Sequence, residues 1–351
     1  MTPLVTLLLL LPKFSHSFPS SFFIPYISSS LHAIPKIFID GEAGTTGLQV
    51  RAKLSSRSDI EIISPPSDLR KDPETRRKYL NDADCAILCL PDAASIEAAN
   101  WLDLDGNTKT VLIDASTAFR VDPAWDYGFP ELSEENRNSI KRSKRISNPG
   151  CYPTGFIGLT RPLVEAGLIE EKTGLTVNAI SGYSGGGKQL MQLYESQEED
   201  CEPWGSYGFA LNHKHLNEMA MYSKLNRKPI FQPAVAAFVQ GMVVSIPIFY
   251  DQLSKGAKGK ECHEALTEYY KDSEVVTVMP FGSDEFLERG AFLRPDTLAN
   301  TNRMELFVFA NDETEQCVLS ARLDNLGKGA SGAAVQNLNL ALGLEEFSGL
   351  F

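Results

Sequence analysis

Apolar positions along this chain gather into short runs, and stretches of helical periodicity separate them. Lys36 to Asp40, Ile60 to Ile63, Ala83 to Leu90 and Thr110 to Asp114 read as strands. Ala83 to Leu90 is apolar but for Asp84, the pattern of a strand covered on both faces. Leu48 to Leu54 and Ala93 to Leu102 read as the helices between, with Pro91 stopping the strand before the second. Alternating strands and helices predict a parallel, doubly wound α/β sheet with right-handed crossovers, the architecture of a nucleotide-binding domain.

After Cys151 the pattern changes. Phe156 to Gly167 reads as a helix, Leu175 to Ser181 as a strand, and Leu253 to Lys271 contains another helix. Ala234 to Tyr250, Val275 to Met279, Arg303 to Asn311 and Gln316 to Leu323 are rich in β-formers, the last two forming a hairpin around Asn311-Asp312-Glu313. This predicts an α+β domain with a largely antiparallel sheet over 151–323. Lys328 to Leu342 reads as a helix that returns to the first domain, so 324–351 completes 36–150. Ser254 to Lys260 is a solvated loop.

The 351 residues suit two domains better than one core. A net charge of −12 with no basic block argues against nucleic acid as a partner. The six cysteines are scattered, which fits reduced thiols and no metal site. Residues 1–35 stand apart: Leu4 to Leu11 is almost wholly apolar, and no acidic residue precedes Asp40. The apolar run is too short to span a bilayer, and with the Ser-rich stretch after it forms a two-part presequence for a plastid. No membrane association is expected of the mature protein. The competing reading is an over-extended gene start, which leaves a cytoplasmic protein.

Candidate chemistry centres on Cys151. Asn148-Pro149-Gly150 makes a tight turn before it, and Pro153 follows where a helix can begin. A thiol at a helix N-terminus is expected to ionise readily and attack a carbonyl carbon. His16 and His32 lie in the presequence and His263 in a plain helical context, so His213 or His215 is the proton partner, with Glu218 able to orient the ring of His215. Which imidazole acts is left open. Gly41, Gly44 and Gly47, with Thr45 and Thr46 between, open a helix directly after a strand, as a pyrophosphate site requires. Ser64 at the end of the second strand and Arg70 nearby suit a 2′-phosphate, and hence NADP, although Asp68 could serve a ribose. Pro91 and the loop bearing Ser184, Gly185 and Gly187 also belong to the cofactor side. Ser116, Arg120 and Asn148 are candidates to hold an anionic substrate, Arg120 being equally suited to a structural pair with Asp122 or Asp126.

The segments FIDGEAGTTGLQV, CLPDAAS, LIDASTAFR, YGFPEL, SNPGCYPTG, SGYSGGGK, LNHKHLNEM and LDNLGKGASGAAVQNLN together resemble the N-acetyl-γ-glutamyl-phosphate reductases of arginine biosynthesis, in their shorter second type, within the semialdehyde-dehydrogenase-like proteins. The resemblance implies a Rossmann domain followed by a catalytic α+β domain. It also implies reduction of N-acetyl-L-glutamyl 5-phosphate by NADPH through a Cys151 thioester, and a homo-oligomer, dimer or tetramer. Asn325, Gly327, Lys328 and Gly329 would lie near the nicotinamide. The competing readings are aspartate-semialdehyde dehydrogenase and a non-catalytic NADPH-sensing protein.

Overall fold

The computed structural model describes residues 33–196, 201–254 and 256–351. The expected presequence lies outside the described residues except for its last three, as does Lys255 of the expected loop. The first sheet is formed by β1 (Lys36–Asp40), β2 (Glu61–Ile63), β3 (Cys85–Leu88), β4 (Val111–Asp114), β5 (Asp126–Tyr127) and β6 (Arg145–Ser147). All its pairings are parallel and the order is β2-β1-β3-β4-β6-β5. Helices α1 (Thr45–Leu54), α2 (Pro73–Asp82), α3 (Asp92–Leu104) and α4 (Glu134–Arg142) connect its strands. Every residue of β3 and β4 is buried, the apolar run of β3 throughout and that of β4 together with the Asp114 that ends it.

Helix α5 (Cys151–Glu165) leads into the second sheet, with α6 (Gly187–Ser196), α7 (Leu216–Tyr222) and α8 (Gly259–Tyr270) further along the chain. Its strands are β7 (Thr176–Gly182), β8 (Trp204–Ser206), β9 (Ile230–Ala236), β10 (Met242–Phe249), β11 (Val276–Val278), β12 (Met304–Asn311) and β13 (Gln316–Leu323). The order is β11-β12-β13-β10-β7-β9-β8; β11–β12 and β7–β9 are parallel and the other pairings antiparallel. The expected Ala234–Tyr250 run is two strands, because Gly241 turns the chain at φ +107, a conformation that favours glycine.

Pro162 lies inside α5 and cannot donate to the Gly158 carbonyl one turn earlier. The Tyr270 hydroxyl of α8 donates to that carbonyl instead, at 2.9 Å, so the proline leaves no orphan acceptor. Residues of α5, α7 and α8 share one apolar core with alternate residues of β10, β12 and β13. The opposite face of that sheet leaves Phe249 and Val318 exposed.

After β13 the chain makes one turn of π-helix, Gly327–Ser331, and then α9 (Gly332–Leu342). Ala334, Val335 and Leu338 of α9 pack on β1, β3 and β4, while α2 and α3 supply the core on the other face. The tail thus returns to the first sheet. Lys328, expected beside a nicotinamide, is buried elsewhere: its Nζ donates to Glu131 Oε2 at 2.7 Å and Gln336 Oε1 at 2.8 Å. Burial pulls Lys328 below the usual lysine range while Glu131 opposes that shift. Burial likewise works to raise Glu131, but Lys328 and Gln336 outweigh it and keep the carboxyl below its usual value. Lys328→Met would strand Glu131 as a buried, uncompensated charge. It should cost about 3–5 kcal/mol in a denaturant melt, whereas Lys328→Met with Glu131→Gln should recover much of the loss. An unchanged melt for the single variant would contradict this.

Candidate active site

The Cys151 turn hangs from the C-terminal ends of the parallel strands, the end at which open α/β sheets bind ligands. Asn148, one residue past β6, donates its backbone N–H to the Asp114 carbonyl at the end of β4, at 2.7 Å. Gly150 is the extended cap of α5 and Cys151 its first helical residue. Glu218, buried in α7, grips this turn from the other side. Its Oε1 accepts from the Gly150 N–H at 2.7 Å and from the Tyr127 hydroxyl at 2.7 Å, and its Oε2 accepts from Arg120 Nη1 at 3.1 Å. Arg120 also donates through Nε to the Asn148 carbonyl at 3.0 Å. A Cβ on Gly150 would sit 2.9 Å from His215 Nε2 and 3.0 Å from Glu218 Oε2, so the approach is open only to glycine.

His215 is 6% exposed and its Nδ1 has no hydrogen-bond partner. Glu218, expected to orient that ring, is spent on the turn and Arg120. His213 Nδ1 accepts the His215 backbone N–H at 3.2 Å, which leaves Nε2 to carry the proton of its neutral ring. The two rings stand edge to face, 4.7 Å apart. Burial, reinforced by Lys214, pushes His213 down to about 4. Burial, with Arg120, His213 and Lys214 adding to it, pushes His215 well below its ordinary value. Burial thus favours the neutral form of both imidazoles, and of the two only His215 has a buried ring nitrogen, Nδ1, with no hydrogen-bond partner.

The thiol departs from expectation. Burial pushes Cys151 above the ordinary thiol value, and Glu218 adds to the rise. Arg120, the Tyr152 N–H at the helix start and Lys214 pull the other way but do not overcome it. The helix N-terminus contributes as reasoned, yet desolvation wins, and the group at rest is a thiol.

Cys151, His213, His215 and Lys214 line one cavity of about 720 Å³. Thr45, Thr46, Ser184, Gly185, Gly187 and Asn325 line it too. Gly41, at φ +85, approaches the Cys89 carbonyl so closely that a Cβ would overlap it, and α1 begins at Thr45. A turn so cramped, opening onto free N–H groups of a helix, fits a dinucleotide pyrophosphate. Asn325 Nδ2 donates to Ser184 Oγ at 3.0 Å and its Oδ1 accepts from the Gly241 N–H, tying the second glycine-rich loop to the end of β13. Pro91 is exposed at the start of α3. Gly329 and Ala330, rather than Lys328, reach the cavity, and a Cβ on Gly329 would sit 2.8 Å from the Cys151 Cβ.

Of the substrate candidates, Ser116 is committed to Asp114, donating to Oδ2 at 2.7 Å. Asn148 lines the cavity, but its side chain donates to the Ala330 carbonyl at 2.9 Å and accepts from Asn337 at 3.1 Å. Arg120 lines the cavity while paired with Glu218, not with Asp122 or Asp126. Sequence reasoning missed Lys214, an exposed cation between the two histidines, and Arg51 and Glu42, which meet Ser64 and Arg70 at the end of β2. The first was legible as the middle residue of His-Lys-His; the others needed the fold.

Two family descriptions match the chain, "Semialdehyde dehydrogenase, NAD binding domain" over residues 41–142 and "Semialdehyde dehydrogenase, dimerisation domain" over 151–325. The chain is 48% identical over 322 residues to N-acetyl-gamma-glutamyl-phosphate reductase 2 of Nostoc sp., covering 90% of this chain and 99% of that one. It is 50% identical over 309 residues to N-acetyl-gamma-glutamyl-phosphate reductase of Chelativorans sp., covering 88% and 98%. Among solved structures, aspartate semialdehyde dehydrogenase II of Vibrio cholerae superposes with a TM-score of 0.64 at 14% identity, covering 88% of this chain and 98% of that one. Aspartate semialdehyde dehydrogenase with NADP from Candida albicans gives 0.61 at 13%, covering 88% and 98%. These last two show a shared fold.

The raised thiol has a direct readout. Iodoacetamide labelling of Cys151, followed by mass spectrometry of its peptide, should keep rising with pH beyond the free-thiol value of about 8.5. Glu218→Gln, which removes a charge that opposes the thiolate, should increase labelling at pH 8. A plateau reached below pH 7 would contradict the electrostatics described here.

Proposed function

Because the chain belongs to the N-acetyl-γ-glutamyl-phosphate reductases, we propose that it reduces N-acetyl-L-glutamyl 5-phosphate to N-acetyl-L-glutamate 5-semialdehyde and phosphate with NADPH, a step of arginine biosynthesis. One observation carries the reading: Cys151, at the first turn of α5, shares a cavity wall with two neutral imidazoles and with the glycine-rich loop at Ser184 to Gly187.

On this reading the Cys151 sulfur attacks the acyl carbon of the acyl phosphate, a mixed anhydride, as a neutral imidazole takes the thiol proton. Phosphate leaves with the C–O bonding pair and a thioester forms on Cys151. His215 is assigned the proton, since its Nε2 lies over Gly150 while His213 is engaged through Nδ1. Backbone N–H groups at the start of α5 stabilise the oxyanion of the addition step. NADPH, when bound, supplies the hydride that reduces the thioester. Release of the aldehyde returns the electron pair to sulfur and the proton from His215 to it. Lys214 faces the cavity as a cation for the leaving phosphate. Gly41 to Gly47 and Ser184 to Gly187 are the backbone surfaces for the dinucleotide, and Ser64 with Arg51 and Arg70 for its 2′-phosphate.

A dimer through the uncovered face of the second sheet, which exposes Phe249 and Val318, belongs to the same reading, supported by the dimerisation-domain match. So does delivery to a plastid, which the acid-poor leader supports and imaging of a fusion carrying residues 1–35 would test.

In a coupled assay, NADPH oxidation should require N-acetylglutamyl phosphate and proceed far more slowly with β-aspartyl phosphate. Cys151→Ser should abolish it, and His215→Asn should lower kcat by about 10²–10⁴-fold with the smaller effect falling on His213→Asn. Full turnover by Cys151→Ser, or preference for the aspartyl compound, would overturn the reading.

A further inference from the structure

The end of β2 carries an ionic cluster built around an acid that the glycine turn supplies. Glu42, directly after Gly41, is 8% exposed. Its Oε2 accepts from Arg51 Nη1 at 2.8 Å and from Ser64 Oγ at 3.1 Å, and its Oε1 lies 3.1 Å from Arg70 Nη2. Arg51 Nη1 also donates to Ser64 Oγ at 3.0 Å. Asp68, the acid that the sequence set against a phosphate, is exposed and takes no part in the cluster. Two guanidinia and a hydroxyl converging on one anion is the donor set that a phosphate monoester uses.

The exposures are unequal in an informative way. The Arg51 and Arg70 side chains are 45% and 44% exposed, while the carboxylate they share is 9% exposed beneath them. Each guanidinium has five donors, so both retain donors on the outward side. An incoming anion meets preorganised cations, but one unit of their charge is already neutralised and a negative group lies below.

We propose that Glu42 is a resident anion under the 2′-phosphate subsite. It holds Arg51, Ser64 and Arg70 in register in the free protein, and by like-charge repulsion it limits how strongly the phosphorylated dinucleotide is preferred. A phosphomonoester carries about −1.5 to −2 charges, against a cluster whose two arginines and one glutamate sum to +1. Replacing Glu42 by its amide keeps an acceptor for the arginines and removes the repulsion. Glu42 is on this account a specificity-determining residue that lowers selectivity rather than raising it. The inference rests on the NADPH reading, and its test separates the two.

Calorimetric titration of the full chain with 2′,5′-ADP and with ADP reads the subsite without turnover. Glu42→Gln should bind 2′,5′-ADP about tenfold more tightly than the unaltered protein, a change of about 1.4 kcal/mol, with ADP affinity unchanged. Arg51→Met, a change at a half-exposed side chain, should erase most of the preference for 2′,5′-ADP and guards against a folding defect in the first variant. If the unaltered protein prefers 2′,5′-ADP but Glu42→Gln weakens it or leaves it unchanged, the proposal fails and the NADPH reading stands. If the unaltered protein shows no preference and Glu42→Gln creates one, the proposal holds and the NADPH reading fails. If neither protein distinguishes the two ligands, or Glu42→Gln loses ADP as a ribose-binding acid would, both fail.

Discussion

A single buried carboxylate holds the site together. Glu218 comes from α7, in the second half of the chain, yet its three partners, Tyr127, Gly150 and Arg120, belong to the segments at the ends of the parallel strands. It fixes the N–H of the residue that caps α5, and so fixes where the sulfur of Cys151 emerges. Arg120 completes the clamp by holding the Asn148 carbonyl on the other side of the same turn. Tyr127 stacks on Tyr222 at the far end of α7, with ring centroids 3.5 Å apart, so the helix is held at both ends of its contact with the first sheet. A shift of α7 would move the turn, the arginine and the histidine cap of the helix together.

The consequence is a site whose thiol and imidazoles are uncharged at rest, with Lys214 and Arg120 as its cations. The same burial that orders the turn suppresses the thiolate and strips both histidines of their protons. Thiol and imidazole then stand in complementary states, one able to give a proton and the other to take it. In the proposed mechanism, proton transfer within the pocket, when substrate arrives, replaces a standing thiolate as the source of the nucleophile. Lys214 and Arg120 favour the ionised sulfur that such a transfer produces.

Much of this was legible in the chain. The apolar runs of β3 and β4, the glycine turn after β1 and the hairpin β12–β13 are local patterns, and each forms where its pattern lies. Helix α4 was not legible, because Ile140 is its only buried residue and its sequence is otherwise polar. Strands β5 and β6 were too short to show a period. The site divides in the same way. Cys151, His213 and His215 could be named from residue type and turn chemistry. What Glu218 does could not, since its partners are 68 to 98 residues away. Lys328 misled for a related reason. The resemblance placed it near the nicotinamide, and only the fold shows that it is buried against an acid, Glu131, 197 residues distant. The thiol's ionisation misled because a helix N-terminus is visible in sequence whereas desolvation is not.

In the proposed mechanism Cys151 carries the acyl group between two half-reactions. Mixing the protein with N-acetylglutamyl phosphate in the absence of any nicotinamide cofactor, quenching in acid and mapping the peptides by mass spectrometry tests that directly. The predicted result is one acetylglutamyl adduct, on the Cys151 peptide, formed with release of an equal amount of phosphate. Phosphate release with no adduct on that peptide, or an adduct only on another residue, would contradict it.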